Sequence, residues 1–108
     1  MNFEYSRTQI DLINTLTSTL KKFDDDYWLK CDVEGNFPEV FFKAMAKGGW
    51  LGVALPEEYG GSHLGIVDTA IMMINIAKKG GMTAASSIHM NIFGPSSLVK
   101  YASERQKK

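Results

Sequence analysis

Apolar residues that recur every three or four positions, between breaks rich in glycine and proline, constrain the fold of this chain more than any other feature. After Ser6 the spacing predicts an amphipathic helix of roughly five turns. Ser6 and Gln9 match a capping box, in which each side chain satisfies a backbone donor left unpaired at a helix start. The predicted apolar face consists of Ile10, Ile13, Leu16, Leu20 and Phe23, with Leu12 beside it.

Two shorter helices are predicted next. The aspartate cluster at 24–26 and the apolar residues 27–29 indicate a break followed by a short helical piece. Pro38 suits the first position of a third helix, because its missing N–H would have no partner there in any case. Gly48 and Gly49 can supply the left-handed cap that ends this helix. Its predicted apolar side consists of Val40, Phe41, Ala44 and Met45.

Further helices are predicted in the second half of the chain. One opens near Asp68 and ends at Gly80–Gly81, and another begins at Thr83. Gly94–Pro95 should bend or interrupt the latter, because a proline ring clashes with the preceding helical turn. The apolar positions are Ile66, Val67, Ala70, Ile71, Ile74 and Ala77, then Ala84, Ala85, Ile88, Ile92 and Phe93, and finally Leu98, Val99 and Tyr101. No strand is predicted, so we expect one all-α domain, an orthogonal or up-down bundle of about five to six helices.

The composition narrows the function classes. Twelve basic and twelve acidic residues cancel to a formal net charge of zero, so nothing global attracts nucleic acid or an anionic membrane. The single cysteine, Cys31, cannot form an internal disulfide, which favours a reducing compartment. No secretory signal and no apolar stretch long enough to span a membrane is found. We therefore expect a soluble, cytoplasmic protein.

Catalytic and metal-binding patterns are missing from the sequence. Glu57 and Glu58 are adjacent, so they cannot face each other as an acid/base pair. Residues 24–26 lack the alternating ligands and central glycine of a calcium loop. His63 and His89 are isolated in sequence from Cys31 and from each other. We therefore predict no catalytic residue, no cofactor-binding residue and no metal ligand, and the methionines in apolar helical stretches are predicted to fill the core.

Ser103 and Gln106 form a second capping-box pattern close to Lys108. A single helical turn is unstable alone, because nucleation is costly and only propagation compensates for it. A frayed tail is one interpretation. The interpretation we favour is a chain cut from a larger protein.

Two stretches carry a resemblance to a known family. Residues 37–65, FPEVFFKAMAKGGWLGVALPEEYGGSHLG, and residues 97–108, SLVKYASERQKK, are similar to the N-terminal helical domain of flavin-dependent acyl-CoA dehydrogenases. The resemblance implies that residues 1–108 are this domain, without the β-domain and the C-terminal helical domain. It also implies that Trp50–Leu55 is a buried crossing segment and that Pro56–Gly61 turns the chain out of the core. Pro56 fixes φ, and Gly60 and Gly61 can take a positive φ.

The same resemblance implies a function for the parent protein, namely α,β-dehydrogenation of an acyl-CoA thioester with hydride transfer to FAD. The flavin and the catalytic glutamate of the family belong to the other domains. We therefore expect this chain alone to bind no FAD, to be inactive, and to form a homo-oligomer. Two alternatives stay open: a stand-alone helical interaction module, and the same domain of an acyl-CoA oxidase or a flavin monooxygenase.

A candidate acyl pocket follows from the resemblance and from helical spacing. Ala85, His89 and Phe93 are spaced i, i+4 and i+8, so they share one face of the helix that begins at Thr83. Ala85 would leave room for the acyl chain, Phe93 would form the wall, and His89 would offer a polar tip. The alternative is that all three residues only pack against neighbouring helices.

Overall fold

The computed structural model describes residues 3–108, apart from the side chain of Phe93. All regular structure within this range is helical, which confirms the all-α prediction. Five α-helices and two 3₁₀ turns follow in the order α1 (Arg7–Leu20), α2 (Asp25–Glu34), α3 (Glu39–Lys47), the 3₁₀ turns Trp50–Gly52 and Glu57–Tyr59, α4 (Ile66–Tyr101) and α5 (Glu104–Lys107).

Local side-chain caps start the first two helices. At α1 the Gln9 backbone N–H donates to Ser6 Oγ at 3.2 Å, and the Ser6 N–H donates to Gln9 Oε1 at 2.9 Å. The predicted capping box is therefore confirmed. Asp24 caps α2 by accepting from the Tyr27 N–H at 3.0 Å. The aspartate cluster is thus a helix start, with two of its carboxylates placed favourably in the first turn.

The α3 helix differs in two details from the prediction. Pro38 is the residue before the helix rather than its first residue. Phe41 and Met45 are fully buried one turn apart, whereas Val40, predicted on the apolar side, is 66% exposed. The reason is the helical rotation of about 100° per residue, which turns Val40 away from the face that the other two bury. Gly49 takes the left-handed conformation at φ 80°, as expected for one of the two glycines.

Aromatic rings from three segments form the centre of the core. Phe41 contacts Phe23 and Trp28 edge-on, with ring centroids 5.4 and 4.9 Å apart. Tyr27 packs on the same group and accepts a hydrogen bond from the Phe41 N–H at 3.2 Å. Edge-to-face pairs of this kind add to the apolar burial. The buried cluster continues with Leu16, Leu20, Met45, Trp50, Val53, Met72, Ile76, Ala84, Ile88 and Ile92.

The connector between α3 and α4 is buried only in part, although the resemblance implied that all of Trp50–Leu55 is buried: Leu51, Gly52 and Leu55 are half-buried and Ala54 is exposed. Trp50 and Val53 are buried, and the chain then returns beside itself through hydrogen bonds such as Leu64 N–H to the Val53 carbonyl at 2.7 Å. Gly60 takes φ 86°. Gly61 has no positive φ, and glycine is needed there because a Cβ would collide with the Leu55 carbonyl.

α4 consists of two helices joined at Gly81, whose dihedrals of φ 66° and ψ −156° lie outside the helical region. The predicted end at Gly80–Gly81 is therefore confirmed. We refer to residues 66–80 as the upstream half, to residues 82–101 as the downstream half and to the junction as the Gly81 break. Of the bend or interruption predicted at Gly94–Pro95, the interruption is wrong, because the helix runs through Pro95 to Tyr101. Pro95 removes one backbone N–H from the helix. Beyond it, Leu98 and Val99 line a cavity of about 200 Å³ together with Leu55 and Tyr59 of the connector.

The last helix, α5, is one turn long and carries the predicted capping box. The Gln106 N–H donates to Ser103 Oγ at 3.3 Å, and the Ser103 N–H donates to Gln106 Oε1 at 3.0 Å. A tertiary contact supports this short turn, because the Tyr59 hydroxyl donates to Glu104 Oε2 at 2.6 Å. Within the described residues, no helix is long and apolar enough to cross a bilayer.

Candidate functional site

The Gly81 break brings side chains from both halves of α4 to one groove. The groove, which we call the break groove, has a volume of about 240 Å³. Met73 contributes from the upstream half, and the rest of the lining comes from the downstream half: Met82, Ala85, Ser86 and His89. The predicted pair Ala85 and His89 therefore lies together at a concave surface. The side chain of Phe93, the third predicted residue, falls outside the described residues.

Ala85 and His89 have distinct surroundings in the break groove. Ala85 is half-buried, and its single methyl group leaves the space that a larger side chain would fill. His89 is also half-buried, and its Nδ1 lies 2.8 Å from the Ser86 carbonyl oxygen. Because a carbonyl oxygen only accepts, this contact places a proton on Nδ1 and fixes the ring orientation. The assignment of the groove to an acyl chain stays a prediction.

Sequence reasoning missed the methionines of the groove. Met45 and Met72 fill the core as predicted, with exposures of 0% and 1%. Met73 is only half-buried, and Met82 is 82% exposed beside the break. The sequence did contain a signal, because Met82 directly follows two glycines. Residues beside the end of a helix are covered by fewer neighbouring side chains. Flexible, polarizable thioethers suit a surface that accepts apolar ligands of variable shape.

A second cavity, of about 480 Å³, lies on the other side of Met82 and Ser86. Its remaining lining comes from the α2–α3 loop and the downstream half: Gly35, Asn36, Phe37, Pro38, Thr83 and Ser87. Met82 and Ser86 are one helical turn apart and border both spaces. They therefore form the ridge between an apolar groove and a more polar cavity.

α2 packs against the Gly81 break on the side away from the break groove. A Cβ at Gly80 would lie 2.6 Å from Cε2 of Trp28, so the indole ring covers this glycine directly. One turn further along α2, Asp32 Oδ1 accepts a hydrogen bond from the Thr83 hydroxyl at 2.8 Å. Trp28 Nε1 is a buried N–H without a partner among the described residues. Close packing rather than hydrogen bonding therefore holds the indole in place.

The two cavities that share Met82 and Ser86 are poor in charged side chains. Neither the break groove nor the larger cavity has a lysine or arginine in its lining that could bind a pyrophosphate. Glu57 and Glu58 are exposed in a 3₁₀ turn and face no cavity described here. No three metal-ligating side chains cluster within the part of the chain that the structure describes. The break groove is thus an apolar concavity at the surface of the helix break.

Comparison with known proteins assigns the chain to a family. The family model described as acyl-CoA dehydrogenase, N-terminal domain, matches residues 6–108. The chain is 32% identical over 108 residues to the probable acyl-CoA dehydrogenase YngJ of Bacillus subtilis (strain 168), an alignment that covers 100% of this chain and 28% of that relative. The chain therefore belongs to the acyl-CoA dehydrogenase N-terminal domain family, which confirms the resemblance.

Two other relatives extend this comparison. Acryloyl-CoA reductase (NADH) of Anaerotignum propionicum is 35% identical over 77 residues, covering 71% of this chain and 19% of the relative. The probable acyl-CoA dehydrogenase YdiO of Escherichia coli (strain K12) is 26% identical over 110 residues, covering 96% and 29%. The chain thus spans less than a third of the length of each of these relatives. No solved structure matches the chain.

Proposed function

We propose that this chain acts as the N-terminal domain of a flavin-dependent acyl-CoA dehydrogenase and that the break groove forms part of its acyl-chain pocket. The observation that carries the proposal is the family match over residues 6–108, together with a methionine-lined groove at a helix break. The reaction class is the removal of two hydrogens across the α,β bond of an acyl-CoA thioester, with FAD as the hydride acceptor. Both the flavin and the catalytic base would lie in other domains.

The residues of this chain would bind the acyl chain and limit the length that fits. Met73 and Met82 would cover the methylene groups, and Ala85 would leave the depth that a long chain needs. Each buried methylene contributes about 0.8 kcal/mol, which corresponds to roughly a fourfold change in affinity. The depth of the groove at Ala85 would therefore determine which acyl-chain lengths the enzyme prefers.

A chimeric enzyme tests this proposal. The chain replaces the matched N-terminal stretch of the Bacillus subtilis relative, and dehydrogenation is measured with acyl-CoAs of increasing length and an artificial electron acceptor. We expect Ala85→Phe to lower kcat/KM for the longest substrates by roughly fourfold per excluded methylene, with flavin content unchanged. The matched control is Ala46→Phe, the same substitution at an exposed position of α3 outside both cavities.

Two results would count against the proposal. A flavin-loaded chimera that oxidises no acyl-CoA would contradict the dehydrogenase function. An unchanged chain-length profile in a folded Ala85→Phe chimera would remove the break groove from the pocket. The chain alone should be colourless and inactive, and stoichiometric FAD absorbance in the purified chain would contradict that expectation.

A second reaction direction has specific support from the relative named acryloyl-CoA reductase (NADH). In that case the same domain would bind a short α,β-unsaturated acyl-CoA that is reduced. The chimera assay distinguishes the two directions when enoyl-CoA reduction is measured beside acyl-CoA oxidation.

The proposal includes a homo-oligomer. Ile66, Val67 and Ile74 on the upstream half are exposed by 74%, 61% and 49%, and exposed apolar patches often mark interfaces. Sedimentation of the purified chain should show self-association. A compact monomer at high concentration would contradict it.

A further inference from the structure

The angle between the two halves of α4 is not fixed by the helix itself. Gly81 has φ 66° and ψ −156°, far from helical dihedrals, and glycine tolerates a wide range of conformations. The orientation of the downstream half must therefore come from tertiary contacts. This matters for the break groove, because Met73 lies before the break while Met82, Ala85 and His89 lie after it. A change in the angle changes the width of the groove.

α2 contacts both sides of the break from one face. Trp28 packs on Gly80, the residue just before the break, and Asp32 accepts from Thr83, two residues after it. Trp28 and Asp32 are spaced i, i+4, so both side chains project from the same side of α2. The indole of Trp28 is buried in the aromatic core and is thereby held in place. α2 therefore spans the Gly81 break and contacts α4 on both sides of it.

The two contacts restrain different movements. Packing of the indole on Gly80 sets the distance of the upstream half from α2, but an apolar contact is not directional. The Asp32–Thr83 hydrogen bond, at 2.8 Å, is directional and acts on the first turn of the downstream half. We infer that Asp32 is a positioning residue for the break groove. The core side chains Ala84, Ile88 and Ile92 hold the downstream half in the domain, and Asp32, through Thr83, restrains its first turn and thereby limits the width of the groove without lining it. The consequence for acyl chains rests on the proposed function.

The orientation of the downstream half can be measured on the chain itself, and the measurement requires no enzymatic activity. Spin labels at Ala70 and Met90, which are both exposed and outside the groove, are introduced in a Cys31→Ser background. The labelled positions are 20 residues apart and would be about 30 Å apart along a straight helix, so the inter-label distance reports the angle at the break. Five variants are compared: Asp32→Ala, Thr83→Val, their double variant, Asp32→Asn and the control Asp26→Ala, an exposed carboxylate on the same helix.

We expect Asp32→Ala and Thr83→Val to broaden the distance distribution and to raise the reoriented population roughly fivefold, as expected for the loss of one hydrogen bond. Asp32→Asn keeps an accepting oxygen and should retain the native distribution, as should Asp26→Ala. The double variant Asp32→Ala/Thr83→Val should match either single variant, because both remove the same contact. Thr83→Val preserves side-chain shape and carries the test if Asp32→Ala does not fold.

A native distance distribution in both folded single variants would overturn the inference. A distribution that broadens equally in Asp26→Ala would also overturn it, since the effect would then be a general loss of charge on α2. In the chimera, Asp32→Ala should change the chain-length profile while Asp32→Asn should not. An inactive chimera would count against the proposed function alone, because the distance measurement stands independently of it.

Discussion

The two sides of the Gly81 break differ in packing, although the residues that form them are neighbours along α4. On the α2 side, the Trp28 ring lies so close to Gly80 that no Cβ fits between them. On the groove side, Met82 is 82% exposed and Ala85 borders open space. The difference teaches that one helix break can combine a closely packed surface with an open one. The packed side leaves no room for an added methyl group, whereas the open side leaves space beside Ala85.

The largest expected effect tests the packed side. Trp28→Ala should lower the free energy of unfolding by about 3–5 kcal/mol, because it leaves a large cavity in the aromatic cluster. Met82→Ala, on the open side, should change it by less than about 0.5 kcal/mol. Urea denaturation followed by circular dichroism measures both variants. Equal effects for the two variants would mean that the sides do not differ in packing.

A pair of glycine substitutions sharpens the same comparison. Gly80→Ala should destabilise the fold by roughly 1–3 kcal/mol, because the new methyl group collides with Ala84 and with the Trp28 ring. Gly94→Ala, in the same long helix, meets no atom within 4 Å apart from its chain neighbours. The Pro95 ring crowds a Cβ at the preceding helical position, which offsets the gain from replacing a glycine, so the free energy of unfolding should change by less than about 0.5 kcal/mol. The midpoint of thermal unfolding should therefore fall for Gly80→Ala and stay nearly unchanged for Gly94→Ala. A gain in stability for Gly80→Ala would contradict the close approach of the indole.

The smallest effect concerns α5, which follows the downstream half and is linked to the connector by the hydrogen bond from Tyr59 to Glu104. The hydrogen bond to Glu104 is the main cause that raises the pKa of Tyr59 to about 12, and the same bond, with Lys107 nearby, lowers the pKa of Glu104. A raised tyrosine pKa gives a contribution that is complete below 10.0 and is lost as the pH rises towards about 12. A lowered glutamate pKa gives a contribution that is lost as the pH falls below 4.5.

Spectrophotometric titration of the phenolate measures this contact. The difference between the native chain and Tyr59→Phe isolates the titration of Tyr59, which should have its midpoint at about 12. Glu104→Gln should move that midpoint down towards 10.0, whereas Glu57→Gln should leave it in place. A Tyr59 midpoint that does not respond to Glu104→Gln would show that the hydrogen bond is absent in solution.

The features that the sequence predicted well depend on residues within one helical turn of each other. Both capping boxes, at Ser6 and Ser103, form as their i, i+3 spacing indicated. The Gly81 break and the left-handed Gly49 follow from the steric freedom of glycine, a property of one residue. Ala85 and His89 reach one groove because their spacing places them on one helix face.

Tertiary structure decided what depends on residues distant in sequence. Asp32 and Thr83 are 51 positions apart, and no local pattern indicates their hydrogen bond. Val40 is an apolar residue of the kind that usually fills a core. It is exposed because α3 turns its other face towards Phe23 and Trp28. The physical reason is that side-chain periodicity determines which face of a helix is apolar, whereas helix packing determines which part of that face is covered. At the Gly81 break, the sequence determined where the helix divides, whereas the contact between Asp32 and Thr83, which restrains the downstream half, exists only in the folded chain.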